Sequence, residues 1–468
     1  DSIQTTSVAL NIVDDTALED KETIALSLTN VTHDCGQFFA VNISPMDMTI
    51  EIIDNDQDSE PQNFTNLART SPQRAVGTAL DQLCANSTSA LQQNCSGLGE
   101  LSADGKRAAL QQIAPEEIAT QGTLALGAGT DALSNLRNRL NTLRALPAGQ
   151  APNTFALQLA GADPAYQMLA NRLMQQLDAA GTPPGAPPLP SPWSVYITGT
   201  LGDSAKKSTT LTPGFDADTY GMLVGADYRI NSQWFAGSAL NFTTTRADLD
   251  SNAGDMEHQS TVLALYSSYY IGEKFYLDGV LHYGKENFDS VRILNYLGDA
   301  KITGKTNGNQ FSASIGGGID AYPWDWNFNT YARATYVAID IDKFDERGTT
   351  GWELQIGKQS VKSLATVLGM RVTKSISTSA GVFTPGAHFE WQHELDNDAR
   401  EFSALFLEDP SVPFTLETDN PDRDAFNVGA GVVATLPGGR TAFLQLTSVH
   451  GQALLTQRRI DLGFRMEF

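Results

Sequence analysis

From Trp193 onward the chain alternates apolar and polar residues with a period of two for nearly its whole remaining length. Tyr220, Met222, Val224, Ala226, Tyr228 and Ile230 alternate with Gly221, Gly225, Asp227 and Arg229, which places apolar and polar groups on opposite faces of one long strand. Phe275, Leu277, Gly279, Leu281 and Tyr283 repeat the pattern against Asp278, His282 and Gly284, and Phe311, Ala313, Ile315, Gly317 and Ile319 repeat it against Ser312, Ser314 and Asp320. The spacing predicts twelve strands, near 193–200, 218–230, 233–245, 258–271, 274–287, 307–322, 327–341, 354–376, 379–395, 424–436, 440–449 and 457–468. Soluble strands average about five or six residues, so strands of this length with Gly-rich polar faces point to a mainly β fold closed into a twelve-stranded antiparallel transmembrane barrel. Short turns such as Asn231-Ser232 and Pro437-Gly438-Gly439 alternate with long polar connections at 246–257, 288–304 and 397–423, giving a turn end and a loop end. Aromatic residues at strand ends, Tyr228, Trp234, Tyr269, Tyr270, Tyr322, Trp324, Trp326 and Trp391, suit the lipid–water boundary.

The periodicity before Trp193 is different. Residues 1–58 carry short alternating runs, Ser7–Ile12, Thr23–Leu28 and Met48–Ile52, expected as a partial β-sandwich. Residues 59–146 switch to Ala, Leu, Gln and Asn, with Leu133, Leu136, Leu140 and Leu143 at helical spacing. Ser71-Pro72 and Ala114-Pro115-Glu116-Glu117 read as helix starts, with Pro in the first turn and carboxylates at the positive end of the helix dipole. Residues 147–192 hold a second helical stretch, Asp163–Ala180, and the Pro-rich run Gly181–Pro192, which fits neither helix nor central strand and marks a linker. The barrel itself is assigned to 193–468.

Composition narrows the function. A formal charge of −23 argues against nucleic acid, whose phosphates need a clustered basic face. No run of eighteen apolar residues exists, so a helical membrane span is excluded and any crossing rests on strands. From Asp1 the sequence shows strand-like residues and no visible signal peptide, and the chain is read as processed or trimmed. Cys84 and Cys95 bracket a short polar stretch in a chain with 3 cysteines, which predicts a disulfide made in an oxidising compartment; Cys35 is left as a free thiol or a half-cystine with a partner elsewhere.

Two resemblances follow from particular residues. "DDTALEDKETIALSLTN" and "TIEIIDND" resemble the second half of a Calx-β domain, a sandwich whose acidic loops bind Ca²⁺. That resemblance implies Asp14, Asp15, Glu19, Glu22, Asp54 and Asp56 as calcium ligands, six to eight hard oxygens being what Ca²⁺ requires; solvated acidic turns are the competing reading. "FDADTYGMLVGADYRI", "DGVLHYGKENFDSVR", "HFEWQHE", "DNPDRDAFNVGAGVVATLPGGR" and the ending "RRIDLGFRMEF" resemble the autotransporter translocators of type V secretion, over about residues 120–468. The resemblance implies a barrel that exports and anchors an upstream passenger at the cell surface, with a helix threading the pore. It also implies an assembly signal in the outward row Ile460, Leu462, Phe464, Met466 and Phe468, read by the outer-membrane assembly machinery after delivery by periplasmic chaperones. Outer-membrane lipid and lipopolysaccharide are the expected surroundings. For the pore helix, Asp163–Ala180 is favoured by its proximity to the first strand over Leu133–Leu146. Self-cleaving members of that family cut at an Asn-Asn step, which this sequence lacks, so the passenger is expected to stay attached. Arg333, Glu390 and Arg371 are expected in the lumen, holding the plug.

Catalytic chemistry finds no foothold in the sequence. G-x-S-x-G, H-E-x-x-H, C-x-x-C and a phosphate-cradling Gly loop are all missing, and the chain is read as a non-enzyme. His388 and His393 lie five residues apart on a strand, hence on opposite faces, and cannot converge on a metal; Glu390 shares the His388 face. Two other readings remain open: a diffusion porin, and an anchor for an upstream enzyme. The Calx-β resemblance favours an adhesive or filamentous stalk.

Overall fold

The computed structural model describes residues 22–27, 47–52, 63–144, 154–157, 193–272, 274–436 and 440–467. The chain divides into two compact units, Asp1–Gln62 and Asn63–Phe468. In the first, Glu22–Ser27 pairs antiparallel with Asp47–Ile52, Glu22 opposite Ile52. Asp14, Asp15, Glu19, Asp54 and Asp56 lie outside the described residues, as do Cys35, Asp163–Ala180, Gly181–Pro192 and Phe468.

The second unit is built on twelve antiparallel strands: β1 Trp193–Lys206, β2 Phe215–Arg229, β3 Trp234–Leu249, β4 Gly254–Ile271, β5 Phe275–Leu294, β6 Ala300–Ala321, β7 Trp326–Ile341, β8 Gln359–Lys374, β9 Gly381–Asp396, β10 Asp424–Leu436, β11 Arg440–His450 and β12 Leu455–Glu467. Each pairs with its sequence neighbour, and β12 closes onto β1 through Leu455↔Lys206 to Ile460↔Leu201. At the other end of that seam the short strand Thr154–Leu157 pairs with both, antiparallel to β12 and parallel to β1. Closure leaves the twelve strands no open edge, as a β structure in hydrocarbon requires.

The outward face divides into two zones. Near the turns it is apolar: Leu263, Leu265, Leu277, Leu281 and Ile315 are exposed, the last at 69%. Aromatic residues bound this zone. Trp193 and Tyr228 meet with ring centroids 4.7 Å apart and Trp234 meets Tyr269 edge-on at the turn end, while Tyr220, Phe242, Tyr283 and Phe311 mark the other boundary. Eight residues separate Tyr220 from Tyr228, Phe242 from Trp234 and Tyr283 from Phe275. At about 3.4 Å per residue and a tilt of about 40°, the two belts stand about 20 Å apart, close to the apolar band of an outer-membrane barrel.

Beyond the upper belt the alternation inverts. Lys285, Asn287, Asp289, Lys301 and Lys305 now face out, and Phe288, Leu294, Ile302, Leu249 and Met256 face in. The stretches 246–257 and 288–304, expected as loops, are therefore mostly strand: β5 and β6 run 20 and 22 residues and join through a short 3₁₀ turn at Asn295–Leu297. Polar residues occupy the outer face there because it stands in water, while the inner face is covered.

The cover is helical. α1 Phe64–Leu67, α2 Ser71–Cys84, α3 Gln92–Gly99 and α4 Ala103–Ile113 precede a 3₁₀ turn, Glu116–Ile118. Thr70 starts α2 in a reciprocal capping box with Gln73, with Pro72 in the first turn. These helices pack Phe64, Leu80, Leu83, Leu110 and Ile113 against Trp352, Leu354, Phe406 and Phe414. Leu354, Phe406 and Phe414 belong to a four-stranded sheet raised by the long connections, Phe344–Asp345, Leu354–Ile356, Glu401–Phe406 and Phe414–Glu417, and Trp352 lies just before its second strand. A disulfide joins Cys84 to Cys95, Cα–Cα 5.6 Å. Arg292, at the end of β5, ties rim to cover: it contacts Glu117 at 3.2 Å, bonds both oxygens of Glu346, and donates to the carbonyls of Ile113 and Trp352 at 3.1 and 3.0 Å.

Candidate functional site

The lumen is occupied by α5, Ala119–Arg144, whose 26 residues extend about 39 Å at 1.5 Å each, enough to pass an apolar layer of about 25–30 Å. The sequence favoured Asp163–Ala180 for this place. That stretch lies outside the described residues, and the helix in the pore is the one carrying Leu133, Leu136, Leu140 and Leu143. Proximity to the first strand misled because contact with the barrel wall, which sequence does not display, decides which helix fills the pore.

One face of α5 is apolar and leans on one half of the barrel. Leu133, Leu136, Leu140 and Leu143 are buried against Tyr196, Leu223, Phe235, Ala239, Ala264, Tyr266 and Val280, all from β1–β5. A polar lumen was expected; on this side it is hydrophobic, because the wall has a permanent apolar partner. The glycines of the helix let the wall come close: a Cβ on Gly122 would overlap the Arg400 guanidinium, and one on Gly129 would lie 2.5 Å from the Gln310 amide.

Polar anchors fix the depth of the helix. Arg139 Nε donates to Asp227 Oδ2 at 3.0 Å, its Nη2 reaches the same oxygen, and its guanidinium lies 4.3 Å from the centroid of the Tyr196 ring. Tyr266 donates its hydroxyl to the other oxygen of Asp227. Asn135 Nδ2 donates to Thr200 Oγ1 at 2.9 Å, Gln359 Nε2 to Gln121 Oε1 at 2.8 Å, and Arg371 Nη2 to Asn138 Oδ1 at 3.3 Å. Arg459 reaches Asp131 at 3.1 Å and Ser134 at 3.2 Å. Arg371 thus holds the plug as expected. Arg333 and Glu390 pair with each other across the wall, at 2.9 and 2.7 Å, with Tyr331 donating to Glu390 at 2.6 Å, and Arg137 of α5 lies within electrostatic reach of Glu390. His388 faces the lumen beside Glu390, whereas His393 bonds Asp424 at 2.9 Å, so the two imidazoles diverge as expected. The opposite face of α5 borders a cavity of 320 Å³ lined by Asp131, Ser134, Arg137, Asn138, Arg371 and Glu390, among others.

The wall has its own locking device. Tyr196 lies over Gly225, Tyr266 over Gly237, Tyr331 over Gly369, Tyr276 over Gly318 and His388 over Gly429, each pair directly opposed on adjacent strands. A Cβ at Gly225 or Gly237 would fall 2.6 or 2.4 Å from a ring carbon. Sequence shows these glycines only as small lumen residues, since their cross-strand partners are fixed by register. The covalent and electrostatic groups of the cover sit outside the membrane zone. Burial and the neighbouring Glu117 push the Glu116 carboxyl up to about 9 despite a hydrogen bond from Gln111, and burial pushes Glu117 up to about 8 although Arg292 pulls it down.

Because α5 runs from the covered loop end to the turn end before the chain enters β1, the plug forms a continuous thread through the pore. The autotransporter β-domain family matches residues 195–447. Esterase EstA of Pseudomonas aeruginosa is 26% identical over 223 residues, which cover 46% of this chain and 34% of the relative. An extracellular serine protease of Serratia marcescens is 25% identical over 223 residues, covering 47% and 21%. The chain thus spans about a third of the length of the first of these relatives. The translocator domain of autotransporter NalP from Neisseria meningitidis covers 65% of this chain and 96% of its own at 14% identity, TM-score 0.48. With the family match running across more than half of the 468 residues and through nearly all of the barrel, the chain belongs to the autotransporter family, as an outer-membrane translocator barrel.

Proposed function

We propose that the barrel exports a passenger preceding Ala119 and then anchors it at the cell surface, with α5 as the last stretch of transported chain left in the pore. The direction of α5 carries this reading. Its N-terminal end joins the cover at the loop end and its C-terminal end lies toward the short turns, so the segment before it is on the outer side. The chain is read as non-catalytic, and the passenger as an adhesive or filamentous stalk with Calx-β-like units, calcium stiffening its acidic loops. Lipopolysaccharide, outer-membrane lipid, periplasmic chaperones and the assembly machinery are its proposed partners. The names of the two enzyme relatives favour a second reading, in which an upstream domain is catalytic. Whole-cell labelling tests the topology: a cysteine at Lys106 on α4 should react with an impermeant maleimide on intact cells, and labelling only after permeabilisation would overturn the reading. The recovered upstream sequence decides between stalk and enzyme.

A further inference from the structure

The seam that closes the barrel is built differently from its other ladders. Among the described residues β12 and β1 pair directly over six positions, Leu455↔Lys206 to Ile460↔Leu201, against ten between β11 and β12 and twenty between β5 and β6. Toward the turn end Thr154–Leu157 stands between the two strands. Phe464, Arg465, Met466 and Glu467 pair with Leu157, Ala156, Phe155 and Thr154, and Ala156 and Leu157 pair in turn with Tyr196 and Ile197. The rows across the three strands are therefore Phe464–Leu157–Ile197 and Arg465–Ala156–Tyr196. Extending the direct ladder downward from Ile460↔Leu201 puts Phe464 opposite Ile197 and Arg465 opposite Tyr196, which are the same rows. The linker strand thus enters the seam without shifting the register of β12 against β1. A slip of even one residue would turn every side chain of a strand to the other face of the wall, and none is needed here.

We propose that Thr154–Leu157 is a removable thirteenth strand, so that the seam has two closures: one wedged by the linker strand, and one in which β12 and β1 zip together directly down to Glu467 opposite Ser194. Hydrocarbon leaves no backbone donor or acceptor unpaired, and zipping replaces the pairs that withdrawal of the linker strand removes. The two closures differ in width, because barrel diameter grows with strand number. At a strand spacing of about 4.8 Å and a tilt of about 40°, the inserted strand adds about 6 Å to the perimeter and about 2 Å to the diameter of the turn end, while the loop end keeps twelve strands. The turn end is where α5 finishes and where the chain comes back to Trp193, so the wider closure suits the plugged barrel and the narrower one a barrel whose linker is withdrawn. The inference concerns the wall alone and is independent of the passenger and of the direction of export.

The test is disulfide formation in outer membranes under mild oxidation, using the full chain with Cys35→Ser. Met466→Cys with Phe155→Cys reports the wedged closure, in which these positions are directly opposed. Met466→Cys with Val195→Cys reports the zipped one; in the wedged closure they lie two strand spacings apart, roughly 9–10 Å, beyond the reach of a disulfide. The otherwise unaltered chain should link the first pair several-fold more than the second. Ala156→Pro removes a main-chain donor from a strand paired on both sides, where proline is not accommodated. It should raise the yield of the Val195–Met466 link to about that of the Phe155–Met466 link in the unaltered chain, with the barrel still heat-modifiable, and Phe155→Pro should do the same. A Val195–Met466 link as frequent as the Phe155–Met466 link before any proline is introduced would overturn the proposal. So would a folded barrel that stays unlinked at Val195–Met466 with both prolines, or one that fails to assemble with either, since the linker strand would then be a fixed part of the wall.

Discussion

At the residue scale, the plug depends on a small number of contacts between groups far apart in sequence. Tyr196 illustrates the coupling: its ring fills the space over Gly225 and at the same time supports the Arg139 guanidinium. Gly225→Val should displace that ring and lower the stability of the folded barrel by about 1–3 kcal/mol, the usual cost of overpacking. The readout is the temperature at which the heat-modifiable form is lost, and an unchanged midpoint would refute it. Asp227 presents a stronger case, since Arg139 and Asp227 are 8% and 3% exposed at their side chains. Asp227→Ala leaves a buried cation and should cost about 3–5 kcal/mol, while the double change Arg139→Leu with Asp227→Leu should recover much of it. Failure of the double variant to recover would place the effect in packing instead. The sequence displays Asp227 as one polar residue in an alternating strand; nothing local ties it to Arg139, 88 positions away.

At the scale of elements, strand and helix types were legible and their roles less so. The Leu133, Leu136, Leu140 and Leu143 stripe marks a helix unmistakably, yet such a stripe looks alike on a soluble helix, and only the wall around it makes it a plug. The strand extensions were missed for another reason: crossing the membrane surface inverts which face is wet, so Lys285 and Asp289 keep the period of two while breaking its phase. Cys84 and Cys95 could be paired from spacing, but the sheet they brace could not be foreseen, because its strands come from four separated stretches. Cys84→Ser with Cys95→Ser should weaken the cover by about 3 kcal/mol through the freed chain between them. Trypsin should then cut within 63–118 while the barrel keeps its heat-modifiable mobility; equal resistance with and without the bond would sink this. The cover should also respond to pH. The folded Glu116 carboxyl titrates near 9 against an ordinary 4.5, so its neutral form favours folding. That contribution is complete below about pH 4.5 and declines as pH rises toward 9. Hydrogen exchange at 103–118 should accordingly quicken between pH 5 and pH 9, and Glu116→Gln should flatten the dependence.

At the scale of the whole molecule, the twelve-strand closure was readable because lipid imposes one repeated rule on every strand, whereas the occupancy of the lumen follows no local rule. Both candidate helices are amphipathic, and sequence alone ranks them only by distance from β1. The geometry gives a direct test. Asn135 and Thr200 are joined by a 2.9 Å hydrogen bond between the middle of α5 and β1, so cysteines at both positions should form a disulfide in the outer membrane under mild oxidation. Cysteines at Asn171 and Gly429, suited to a plug made from the later helix, should remain separate. The Asn135–Thr200 bond should also lock the transported chain in place, since a covalent tie across the lumen stops the helix from sliding. If the linkage forms before export is complete, surface labelling at Lys106 should fall with the yield of cross-link; if it forms afterwards, labelling should stay at the level of the uncross-linked protein. A cross-link from Asn171 with none from Asn135 would return the pore to the later helix and leave the Leu133–Leu143 stripe without its wall.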